Sequence, residues 1–89
     1  MTATLRFWAA AREAAGTAEE TVRAATLAGA LREAVSRRGG AHGGGAALQR
    51  VLERSSVLLD GVQVGRSEPE SVPLPDGAVV EILPPFAGG

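Results

Sequence analysis

The chain has 89 residues, 45% hydrophobic and 21% charged, with a formal net charge of -1, which suits one domain with one modest core and is too short for two. Its nine basic residues are scattered, with Arg37-Arg38 the only adjacent pair; no apolar run approaches a membrane span, and the opening residues lack the basic-then-apolar layout of a secretory leader. We therefore expect a cytoplasmic protein that binds neither nucleic acid nor membrane. Cysteine is absent and His42 is the only histidine, which excludes disulfides, thiolate catalysis, Cys-ligated metals and a histidine metal cluster within one chain. Lysine is absent too: every basic residue is arginine, and the only amine is the N-terminus.

Residues 2–8 alternate, Leu5 and Phe7 on one face and Thr4 and Arg6 on the other, which is the period of a strand. Residues 9–16, AAAREAAG, are Ala-rich and close on Gly16, predicting a short helical turn or ordered loop. Residues 17–24 read as a weaker strand with Val22 its only large apolar residue; hairpin pairing with the first strand accounts for it. Thr26 fits a helix N-cap. Leu27, Ala30, Leu31, Ala34 and Val35 then follow at the spacing of a core-packed helix, leaving Arg32, Glu33, Ser36 and Arg37 toward solvent. Gly39-Gly40 ends that helix.

Residues 39–45, GGAHGGG, hold five glycines in seven. A phosphate cradle needs a preceding strand and a Gly-Lys-Ser/Thr helix start. Here a helix precedes and no lysine follows, so the stretch reads as a flexible surface loop with His42 solvated. Residues 46–54 give a short second helix with Leu48, Val51 and Leu52 inward. Residues 56–64 read as a hairpin turning on Asp60-Gly61. Residues 65–77 are polar and turn-rich, with Pro75-Asp76-Gly77 a turn. Residues 78–84 are the last strand, and their near-continuous apolar run predicts burial on both faces or a central place in the sheet. Pro84 cannot donate to a ladder and ends it.

This order mixes strands and helices without regular alternation, which defines an α+β protein. The expected architecture is a β-grasp: a mixed sheet of about five strands packed on one main helix plus a short second helix, the last strand parallel beside the first. Residues 1–83 form the domain and 84–89 a flexible tail.

Few other residues offer chemistry. No nucleophile–base pair is suggested, nearly all the carboxylates fall at turns and solvent faces, and Trp8 reads as a strand-end core or rim residue, or a contact anchor if exposed. What remains is the ending LPPFAGG. Gly88-Gly89 has no Cβ and can lie extended in a narrow tunnel. Pro84-Pro85 stiffen the exit, and Phe86 offers one large apolar anchor. The terminal carboxylate is ionised at neutral pH and reacts as an acyl group only once activated, for example as an adenylate made with ATP and shielded from water.

Three stretches carry a family resemblance: LRFWAAAREAAG (5–16), LLDGVQV (58–64) and LPDGAVVEILPPFAGG (74–89). Together they resemble the small sulfur-carrier subunit of molybdopterin synthase, the MoaD type, within the MoaD/ThiS group of ubiquitin-like proteins. Asp60-Gly61 stands where Asn-Gly is more usual, and residues 39–45 are a Gly-rich departure. The resemblance implies a ubiquitin-like β-grasp and a cycle. An E1-like enzyme adenylates Gly89 using ATP, a sulfur donor displaces AMP to leave a thiocarboxylate, and the large synthase subunit receives the tail. Sulfur then passes to a pterin precursor, building the dithiolene that binds molybdenum. It also implies that the chain binds no cofactor, is not catalytic alone, and forms the small subunit of a heterotetrameric synthase. By matching position, Gly89 carries the sulfur and Gly88 gives tunnel access. Phe86, Pro84, Pro85 and Ala87 place the tail, and Arg12 in the Ala-Arg-Glu turn contacts a partner. With no cysteine, any sulfur carried must sit on the terminus. Sulfur carriage for thiamine, cysteine or tRNA thiolation, a ubiquitin-like modifier, and an interaction module with an inert tail stay open as alternatives.

Overall fold

A computed structural model describes residues 1–65 and 67–85. Strands β1 (Ala3–Phe7), β2 (Glu19–Val22), β3 (Ser56–Leu59), β4 (Val62–Gln63) and β5 (Ala78–Leu83) form one sheet in the order β2-β1-β5-β3-β4. β1 and β5 pair in parallel, from Ala3 opposite Ala78 to Phe7 opposite Ile82. The other pairings are antiparallel. Helices α1 (Ala9–Ala15), α2 (Leu27–Ser36) and α3 (Ala46–Leu52) and a 3₁₀ turn at Pro69–Ser71 complete the chain. A parallel pair cannot be closed by a hairpin, and all the chain between β1 and β5 serves as the connection.

The core follows the two periodicities. Ala3, Leu5 and Phe7 from β1 and Ala78, Val80 and Ile82 from β5 point inward, and all six are buried. Leu27, Ala30, Ala34 and Val35 of α2 and Leu48 and Val51 of α3 cover them. Leu31 and Leu52 are only partly buried against this cluster. β5 is central, as its apolar run predicts, but its two faces differ: Val79, Glu81 and Leu83 are half-buried on the side that α2 does not cover. Central pairing, more than equal burial, explains the run.

The local signals correspond to defined geometry. The Thr26 hydroxyl accepts from the Gly29 amide at 3.1 Å, capping α2. Residues 9–15 form a complete short helix, closed by Gly16 at φ 79°. Asp60 and Gly61 both have positive φ, 49° and 84°, as a type I′ hairpin turn requires. The Asp60 carboxylate also accepts from the Val79 amide at 2.9 Å, tying the turn to β5.

Two expectations change. Residues 39–45 are wound into consecutive turns and are no open loop. The Gly40 amide donates to the Val35 carbonyl at 3.0 Å, and the Gly43 and Gly45 amides to the Gly40 carbonyl at 3.1 and 3.0 Å. A Cβ on Gly44 would collide with the Arg38 carbonyl oxygen, and one on Gly45 with that of Val35. Glycine serves here for close backbone approach, a use that composition alone does not separate from mobility. His42 is exposed, as expected. Second, Glu20 is not a solvated carboxylate. Its side chain is 14% exposed and pairs with that of Arg38, 16% exposed, at 2.6 Å. Among the described residues, no helix is long and apolar enough to cross a membrane.

Candidate functional site

β5 carries the chain out through the middle of the sheet. Near its end, the Trp8 amide donates to the Ile82 carbonyl at 3.2 Å, and Ser56 on β3 stands opposite Leu83. The exit therefore has a strand on each side. Two prolines follow and supply no amide hydrogens, so both ladders stop there. Pro84 is buried and Pro85 exposed, and the rigid exit is seated on the domain.

Beside it lies an open hollow of about 440 Å³. Trp8, Leu58, Leu83, Pro84 and Pro85 give it apolar walls, and Arg54, Ser56 and Gln63 line it with polar groups. The alternation of the strands builds it. Leu58 and Gln63 are paired across β3 and β4, and Ser56 and Leu83 across β3 and β5, so these side chains share the face opposite α2. Trp8 is 45% exposed, and its indole Nε1 donates to Glu81 Oε2 at 3.1 Å. Its exposure fits the contact anchor considered from the sequence, a large apolar side chain at the rim.

The structure gathers only part of the expected site. Pro84 and Pro85 meet at the hollow. Phe86, Ala87, Gly88 and Gly89 lie outside the described residues. Arg12 is exposed on α1, which begins directly after β1, but it does not line the hollow. It holds no ion pair among the described residues. Arg54, Ser56, Leu58 and Gln63 are additions. Leu58 had a signal, because its strand alternates and one apolar face had to look outward. Arg54 had none, since only the tertiary pairing of β3 with β5 brings it to the exit. Among the described residues, no three His, Asp or Glu side chains gather as a metal site.

A mixed five-stranded sheet under one main helix, with the terminal strand emerging from its centre, defines a ubiquitin-like β-grasp protein. The chain belongs to the ThiS family, whose sequence model matches residues 5–89, a family of ubiquitin-like sulfur carriers and modifiers. Several solved structures share the fold. Small archaeal modifier protein 1 from Methanosarcina acetivorans has 22% identity and a TM-score of 0.78, covering 99% of this chain and 96% of that one. The HVO 2177 protein of Haloferax volcanii has 30% identity and a TM-score of 0.72, covering 100% of this chain and 87% of that one. Molybdopterin-converting factor from Helicobacter pylori 26695, solved as a complex of subunits 1 and 2, has 22% identity and a TM-score of 0.66, with full coverage of both chains. No curated protein sequence matches the chain.

Proposed function

We propose that this chain is the sulfur-carrying small subunit of a molybdopterin synthase and acts in the cytoplasm. An E1-like enzyme activates Gly89: its carboxylate oxygen attacks the α-phosphorus of ATP and pyrophosphate leaves. A sulfur nucleophile then attacks the carbonyl carbon, the C–S bond forms and AMP departs, leaving the thiocarboxylate. In the large subunit the thiocarboxylate sulfur attacks a carbon of the pterin precursor, and the new C–S bond replaces a C–O bond whose oxygen departs as the leaving group. Water then cleaves the resulting thioester and returns the Gly89 carboxylate.

The observation that carries this reading is a family match running to residue 89, on a chain that ends in Gly-Gly and whose final strand leaves the centre of the sheet. The domain supplies position and the tail supplies reach. The large subunit would sit on the face bearing Trp8, Leu58 and Leu83, where an apolar hollow adjoins the exit. Apolar area beside a stiff lead is what a partner needs to register a terminus against its own active site.

Intact mass spectrometry after co-expression with a matched activating enzyme and sulfur donor tests the reading. The expected species is heavier by one oxygen-to-sulfur exchange and supports dithiolene formation by a large subunit. Absence of both that species and an acyl-adenylate, with every activator tried, overturns sulfur carriage. A second reading is a ubiquitin-like modifier, in which the activated terminus acylates an amine of another protein; the chain shares its fold with small archaeal modifier protein 1. Conjugates of higher mass in place of the thiocarboxylate would select it.

A further inference from the structure

An activated C-terminus is an electrophile carried on a protein surface, and the nucleophiles present at the highest local concentration belong to the protein itself. This chain has nine arginines and no lysine. A guanidinium stays protonated under all physiological conditions, whereas an ammonium is in equilibrium with a small fraction of free amine, which is a nucleophile. Replacing every lysine removes all side-chain amines while keeping the positive charge.

Among the described arginines, the effect matters most at one. Arg54 lines the hollow together with Pro84 and Pro85, and residues 86–89, if extended, span roughly 14 Å. An amine at position 54 would lie within that reach. The α-amine of Met1 does not. Because β1 and β5 run parallel, with Ala3 opposite Ala78, the chain enters at one end of the sheet and leaves at the other. The seven residue steps from Ala78 to Pro85 place the two ends on the order of 20 Å apart. Ser56 also lines the hollow, but a hydroxyl without a neighbouring base is a weak nucleophile, and His42 lies in the turns between α2 and α3.

Resting on the reading that Gly89 is activated, we propose that this domain is built to be inert toward its own activated terminus. Arg54 is the position that secures this, keeping a cation at the exit without offering a nucleophile. The acyl or sulfur group must then be consumed by transfer to a foreign molecule. The chain can neither close into a ring nor grow into a polymer through its own side chains.

The test uses the full chain bearing a chemically installed thioester at Gly89, incubated at about pH 8 and followed by intact mass and denaturing gel. Self-acylation would form a C–N bond at the Gly89 carbonyl and break the C–S bond, the thiolate leaving with the proton that the amine loses. The wild-type protein is expected to hydrolyse only. Arg54→Lys is expected to give a cyclised, hydroxylamine-resistant product at about tenfold the wild-type level or more. Arg23→Lys, which lies with Met1 and Thr2 at the far end, is expected to stay linear. Thermal unfolding of both variants verifies that they are folded. Rings or dimers from the wild type, a linear Arg54→Lys, or equal cyclisation of Arg23→Lys would each overturn the proposal. No activating enzyme takes part, so failure here is separate from failure of the sulfur-carrier reading.

Discussion

Truncating Arg38 to alanine is expected to destabilise the domain by about 3 kcal/mol. Its guanidinium donates Nη2 to Glu20 Oε1 at 2.6 Å and Nη1 to Glu20 Oε2 at 3.0 Å. Nε reaches the Ala15 carbonyl at 2.8 Å, and Nη1 the Ala34 carbonyl at 2.7 Å. The group also lies 5.7 Å from the centroid of the Phe7 ring. One side chain thus ties the end of α1, the strand β2 and the end of α2 to the core. Hydrogen bonds to charged groups are worth about 1.5–3 kcal/mol each when desolvated. The Arg38 and Glu20 side chains are 16% and 14% exposed, which leaves some screening and discounts the sum. Arg37 offsets part of the loss, because its Nη1 already lies 3.7 Å from Glu20 Oε2. At roughly 4–8 °C per kcal/mol for a domain this size, the midpoint falls by roughly 12–24 °C. Thermal unfolding followed by circular dichroism at low and high salt measures it. A loss below about 1 kcal/mol, or one that disappears in high salt, would mean the pair behaves as a solvated surface contact and would refute the argument. Arg37→Ala, at 42% side-chain exposure, should cost less than about 1 kcal/mol.

Deleting Gly88 and Gly89 is expected to abolish thiocarboxylate formation while moving the thermal midpoint by no more than about 2–4 °C, the range for changes outside the core; a large drop would instead make the tail structural. Trp8→Ala should weaken binding to a large subunit by about 2 kcal/mol, roughly thirtyfold, with binding followed by calorimetry; an unchanged Kd would remove the face opposite α2 from the interface. Gly44→Ala should destabilise by about 1–3 kcal/mol, because its new methyl meets the Arg38 carbonyl. A stabilised Gly44→Ala in the same melting assay would restore the open-loop reading of residues 39–45.

Periodicity made most of this fold legible. Leu5 and Phe7 alternate with Thr4 and Arg6, and the α2 stripe repeats with helical spacing, because each element must turn one face to the core. Asp60-Gly61 announced its turn through backbone chemistry that few residue pairs tolerate. Other features depend on contacts between residues distant in sequence. Glu20 and Arg38 are separated by 18 positions, and no local pattern marks them as partners. Arg54 reaches the exit only because β3 lies beside β5. The glycines at 43–45 looked like slack because composition records the missing side chains and not the backbone that fills their place. Pro84 was legible as the stop of the last strand, while the hollow beside Pro84 and Pro85, assembled from three strands, was not.

The position of β5 also has a mechanical meaning. A partner that draws on the tail pulls along the axis of a strand clamped by β1 on one side and β3 on the other. The load spreads across both ladders at once, in shear, where an edge strand would have one ladder to share it. On the proposed function the domain would act as a stopper: tension applied beyond Pro85 would meet the core of the sheet.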